Sequence, residues 1–105
     1  MKAIYASTLL SLTMTLAVSA FADEKAQEII SGRGCVACHA TDSQRVGPSY
    51  KAISEHYDHN EETVAFLVDR IRRGGAGSFG KVPMPPNGKV SEEEARVIVE
   101  WIFTL

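Results

Sequence analysis

The chain has little excess charge, few cysteines and no β-rich alternation, and each shortage narrows what it can be. Its 11 basic and 13 acidic side chains leave a formal net charge of −2, without the basic surface that nucleic-acid binding requires. Two cysteines in 105 residues exclude a disulfide framework of the multiply bridged kind. No stretch alternates apolar and polar residues as a half-buried strand would, so sheet folds are not expected. Repeats, low-complexity tracts and interdomain linkers are also missing. With 45% hydrophobic and 23% charged residues, the composition is that of one ordinary globular domain.

The N-terminus differs from the rest. Lys2 gives a positive start, Leu9 to Val18 an apolar stretch interrupted by Ser11, Thr13 and Thr15, and Ala20-Phe21-Ala22 a small-x-small cleavage signal. Residues 1–22 therefore read as a secretory signal peptide. As a membrane anchor the stretch is short, and its hydroxyl residues weaken it. The mature domain, residues 23–105, would hold 83 residues, and the loss of Lys2 leaves 10 basic against 13 acidic groups. A domain of that size buries a modest share of its surface and usually needs a staple.

One staple site is offered. Cys35-Val36-Ala37-Cys38-His39 is the C-x-x-C-H pattern of c-type haem attachment. On a helical turn, residues at i, i+3 and i+4 share a face, so two sulfurs and one imidazole project together. The sulfurs can bond the porphyrin edge while His39 reaches the iron. A thiol redox pair would belong beside a βαβ pattern, which is lacking. A zinc site would have to recruit His56 and His59 as its other ligands.

The remaining pattern is helical. Ala26, Ile29 and Ile30 form one face of a helix over 23–33, released by Gly32 and Gly34. Residues 40–49 read as a loop ending in Gly47-Pro48, and 50–57 as a short helix. Asn60 caps a helix reaching Arg73, with Val64, Leu67, Val68 and Ile71 as its core stripe. Residues 74–89 contain five glycines and three prolines in sixteen positions and predict a long fixed loop. Ser91 and Glu94 form a capping box for a last helix, whose apolar face is Ala95, Ile98, Val99, Ile102 and Leu105, with Trp101 beside it. The expected fold is all-α, about four helices around one flat cofactor.

The second axial position has three candidates, Met84, His56 and His59. Met84 is the sole methionine of the mature chain and sits between Pro83 and Pro85-Pro86, where rigid residues fix it and a helical core filler would not be found. It is the expected ligand, and the two histidines are read as solvated surface. If Met84 did not ligate, the open iron would make a ligand-binding or peroxidatic haem protein instead.

Gly34-Cys35-Val36-Ala37-Cys38-His39-Ala40, Val46-Gly47-Pro48-Ser49-Tyr50 and Val82-Pro83-Met84-Pro85-Pro86-Asn87, with the final Trp101 helix, resemble the small bacterial class I cytochromes c of the c-551/c-552 group across the whole mature chain. The resemblance implies the class I cytochrome c fold. It also implies a Pro48 carbonyl on the distal nitrogen of His39, Asn87 bonding near the Met84 sulfur, and Arg70 reaching a haem propionate. Gly34 and Gly47 would keep backbone clear of the haem, and Ile30 and Trp101 would lie near the contact of the terminal helices. Where many relatives have a donor tryptophan this chain has Phe79, and Lys81 replaces a frequent proline, so that propionate is expected to be less firmly held.

Together these readings imply a monomeric periplasmic electron carrier with one covalent haem c, no enzymatic constellation and no stable membrane insertion after cleavage. Its partners would be transient: an upstream donor and a reductase, oxidase or peroxidase, met through a small surface near Val36 and Ala37. Arg33, Arg45, Lys51, Lys81 and Lys89 are expected to ring that edge, with Glu61, Glu62 and Glu92 to Glu94 elsewhere. The exported protein should begin at Asp23, and intact mass spectrometry should show the mature chain with one haem added.

Overall fold

The computed structural model describes residues 11–105, with side chains from residue 20 onward. The first ten residues of the expected signal peptide lie outside the described residues. Four α-helices are present among those described: α1 (Ser11–Gly32), α2 (Tyr50–His56), α3 (Glu61–Arg73) and α4 (Glu92–Ile102), with a 3-10 turn at Cys35–Ala37. The one β-type feature described is an isolated antiparallel bridge between Gly75 and Met84. No described helix is long and apolar enough to cross a membrane.

Helix α1 is longer than its sequence pattern predicts. The expected start was Asp23, yet the backbone is helical back through Ala20-Phe21-Ala22 to Ser11. Apolar, alanine-containing sequence propagates a helix once the packed part has nucleated it. Burial starts only at Ala26, and Phe21 is 71% exposed. The helix is released at Gly34, whose φ of 81° is the left-handed conformation that glycine adopts without a Cβ penalty.

The other three helices start where their caps put them. Ser49 Oγ accepts from Ala52 N at 3.0 Å, directly after Pro48. Asn60 Oδ1 accepts from Thr63 N at 2.9 Å, and Glu61 and Glu62 occupy the first turn, where carboxylates favour the helix dipole. Ser91 Oγ accepts from Glu94 N at 3.0 Å while Ser91 N donates to Glu94 Oε1 at 3.1 Å, completing the capping box. Helix α2 stops one residue short of Tyr57, and α4 stops at Ile102. Leu105 therefore leaves the helical face expected for it and is 39% exposed.

Helix α4 packs against both α1 and α3 and also touches α2. The core is built from Ala26, Ile29 and Ile30 of α1, Val64, Leu67 and Val68 of α3, and Ala95, Ile98, Val99 and Ile102 of α4. Trp101 is buried with them, and Tyr50 and Val90 complete the core from outside the predicted stripes. Ile71 is only partly buried, because it faces the cleft described below.

A surface clamp joins α3 to α4. Arg96 donates to both carboxylate oxygens of Glu61 at 2.6 and 2.7 Å, and also contacts Glu100 at 3.0 Å. Bidentate geometry makes this the best-formed exposed pair described. The Arg96 hydrogen bond holds the Glu61 carboxyl below the usual carboxylate range. A carboxyl with a lowered folded-state pKa contributes stability above its unfolded pKa and loses it as pH falls through the folded value. Glu61→Gln should therefore lower the melting temperature at neutral pH, with the difference from wild type vanishing in thermal melts as pH falls through the lowered folded-state pKa of Glu61.

Candidate functional site: a cleft joining the C-x-x-C-H turn to the Met84 loop

The left-handed Gly34 turns the chain out of α1 into the tight 3-10 turn. Cys35 O accepts from both Cys38 N (3.2 Å) and His39 N (3.0 Å), closing the turn that carries both sulfurs and the imidazole. The cysteines are free thiols, half-buried, with no disulfide between them. Burial pushes the Cys35 thiol above its usual range.

His39 is oriented by its neighbours. Its Nδ1 lies 2.7 Å from Pro48 O. A carbonyl can only accept, so Nδ1 carries the proton and donates, leaving Nε2 with its lone pair free for a metal. The Tyr50 ring stacks beside it at 5.5 Å between centroids. Gly47 is required by this ring: a Cβ there would fall 2.5 Å from His39 Cε1 and 2.9 Å from Nδ1. The resemblance gave Gly47 the task of clearing the haem, whereas the structure assigns its missing side chain to the imidazole. At Gly34 a Cβ would meet nothing within 4 Å, so backbone conformation rather than clearance is the constraint there.

Met84 is placed by main-chain bonds. Gly75 N donates to Met84 O at 3.0 Å, and Met84 N to Gly75 O at 2.8 Å. The prolines on either side have no N–H to compete, so the loop is irregular yet pinned. Past them, Asn87 N donates to Ile71 O at 3.1 Å, and the side chain of Asn87 donates to Arg33 O at 3.0 Å while accepting from Lys89 N. The expected bond from Asn87 toward the Met84 sulfur is not the one made. The amide instead ties the loop to the end of α1, because the Arg33 carbonyl past the last turn of that helix needs a donor.

Cys35, Cys38, His39, Pro48, Arg70, Phe79, Met84 and Asn87 all line one cleft of about 570 Å³, a size ordinary for cofactor sites. Arg70 lays its guanidinium over the Phe66 ring at 5.2 Å and has no ion pair with a carboxylate among the described residues. Phe79 has no donor to offer and rests against His56 (4.6 Å) and Tyr57 (6.2 Å). Sequence reasoning missed Tyr57, Ile53 and Leu67 as wall residues, since nothing in helical periodicity separates a side chain that faces the core from one that faces a cleft.

The charges are arranged differently from the expectation. Arg33 and Lys89 do line the cleft, but Glu94 pairs with Arg33 at 3.1 Å rather than lying elsewhere. The capping box brings the Glu94 carboxylate there, and its hydrogen bond from Ser91, followed by Arg33, holds its pKa low. Arg45 donates to Val36 O at 2.9 Å. The exposed large apolar side chains lining the cleft are Val46, Phe79 and Val82, with Val36 outside its lining. His56 and His59 are both exposed, but His59 is engaged: its Nε2 donates to Ser54 O at 2.8 Å and its ring stacks on Phe103 at 4.2 Å. No three metal-ligating side chains of the His, Cys, Asp and Glu type cluster among the described residues.

Residues 24–105 match the family model for cytochrome c. The chain belongs to the cytochrome c family. It is 42% identical over 81 residues to cytochrome c-551 of Azotobacter vinelandii, covering 77% of this chain and 98% of that one. Against cytochrome c-552 of Nitrosomonas europaea it is 32% identical over 105 residues, covering 100% and 99%. The crystal structure of wild-type Nitrosomonas europaea cytochrome c552 superposes with a TM-score of 0.71 at 34% identity, over 75% of this chain and 98% of that one. Members of the family carry electrons on one covalently attached haem c, and the two thiols of this cytochrome's C-x-x-C-H turn suit that attachment.

The cleft fits such a group on its own chemistry. It offers two free thiols, an imidazole with its outer nitrogen already bonded, a thioether, and an unpaired guanidinium suited to a carboxylate. Gly47→Ala should force the His39 ring from Pro48 and destabilise the haem-loaded protein by about 1–3 kcal/mol in thermal or denaturant unfolding.

Proposed function

We propose that this cytochrome is a periplasmic one-electron carrier, exported through a cleaved segment 1–22, with haem thioether-bonded to Cys35 and Cys38 and held axially by His39 and Met84. The observation that carries the reading is the single cleft joining both thiols, an imidazole of defined tautomer and the one methionine of residues 23–105.

When bound, the group supplies an iron that cycles between two charge states. The chain supplies the rest. Pro48 O, through Nδ1–H, fixes the plane of His39 and raises the basicity of its Nε2. The Gly75–Met84 bridge fixes the backbone of Met84, whose thioether would serve as the second ligand, and His/Met ligation would raise the reduction potential relative to stronger donors. Arg70 would be the partner for a propionate. With His39 and Met84 both ligating there would be no open position for a substrate, which would separate a carrier from a peroxidatic or gas-binding haem protein. Donor and acceptor would be met briefly near Val46 and Val82, through a small area typical of redox encounters.

The reading is tested by absorption spectroscopy of the exported protein. The ferric form should show a sulfur-to-iron charge-transfer band, and the ferrous form should take up carbon monoxide slowly. Met84→Ala should abolish the band, speed carbon monoxide uptake and lower the midpoint potential. Rapid uptake by the wild type would overturn the axial assignment.

A further inference from the structure

Tyr50 holds the one buried side-chain polar atom without a partner among the described residues. Its residue is 5% exposed, and its hydroxyl meets no donor or acceptor. The ring is wedged between His39 at 5.5 Å and the edge of Trp101 at 5.3 Å, so it cannot swing to solvent. An unmatched buried hydroxyl destabilises a protein, and phenylalanine would fill the same space without that penalty.

The surroundings restrict what could match it. Tyr50 lines a small deep extension of the cleft together with Cys35, His39 and Met84, walled otherwise mainly by aliphatic side chains such as Ile98, Val99 and Ile102. A water there would find few of the two to four partners it needs. A carboxylate would be drawn to Arg70, the one cation of that lining. The remaining acceptors are the sulfurs of Cys35 and Met84, and Cys35 is the one that also packs against the core cluster holding Tyr50. Burial, followed by charge on Cys35, pushes the Tyr50 phenol far above its usual range. As a free thiol, Cys35 can donate or accept; as a thioether it can only accept.

We propose that the Tyr50 hydroxyl is a positioning group for the haem attachment, donating a hydrogen bond to the Cys35 sulfur once that sulfur is a thioether. The inference rests on the haem assignment above. Before attachment, Cys35 can turn about its Cα–Cβ bond. Attachment fixes one rotamer, and the hydroxyl selects the one that keeps the sulfur over the core. Donation to that sulfur withdraws electron density from the porphyrin edge and favours the reduced state.

The test uses the haem-loaded protein and its Tyr50→Phe variant, with and without Cys35→Ala. Mass and visible spectrum of the wild type first establish that one haem is present; their failure would sink the functional assignment itself. With haem present, Tyr50→Phe should lower the melting temperature by about 4 °C, as loss of one weak bond does in a domain of this length, and lower the midpoint potential. On the Cys35→Ala background the same change should have no destabilising effect. The tyrosine doublet in ultraviolet resonance Raman of the wild type, which needs no variant, should show a hydrogen-bond donor. An unchanged or raised melting temperature in Tyr50→Phe, an equal loss on the Cys35→Ala background, or a non-donating tyrosine doublet would each overturn the proposal.

Discussion

The geometry of the site depends on the 2.7 Å contact between His39 Nδ1 and the Pro48 carbonyl. It decides which imidazole nitrogen is protonated, and therefore which one faces the cleft with a lone pair. Its neighbours are arranged around it. Gly47 has no side chain because the ring occupies that space, Pro48 presents its carbonyl directly before α2, and Tyr50 backs the ring from the first turn of that helix. A short loop and a seven-residue helix thus act as a mount for one side chain.

The mount is rigid because the helices beneath it are locked to each other. Ala26 and Ile30 of α1 and Ala95 and Val99 of α4 are almost fully buried, and the two alanines are small enough for close helix approach. On the other side, Asn87 ties the loop after Met84 to the carbonyl of Arg33, two residues before Cys35. The two walls of the cleft are consequently joined through a single side-chain amide at one end.

Much of this was legible from residues alone. Caps and periodicity placed α3 to the residue, because Asn60 at one end and Gly74 at the other are unambiguous signals, and the Ser91–Glu94 box placed the start of α4 equally well. The C-x-x-C-H spacing and the proline-flanked Met84 identified the side chains that share the cleft. What periodicity did not convey was direction in space. The pairing of Glu94 with Arg33 links residues 61 apart and follows from how α4 crosses α1, and the turn of Asn87 toward Arg33 O follows from a helix end that needs a donor. The backward extension of α1 was hidden for a different reason: a cleavage signal and a helix former can be the same alanine-rich stretch.

The bridge between Gly75 and Met84 uses only main-chain atoms. The side chain at position 84 therefore contributes nothing to the hydrogen bonds that shape its own loop. Architecture and ligand chemistry are separable at this point of the fold: another donor, or none, could stand at 84 on an unaltered backbone. Under the proposed Met84 ligation, an electron carrier of this build would be one residue away from a protein with an open coordination site, on an unbroken loop.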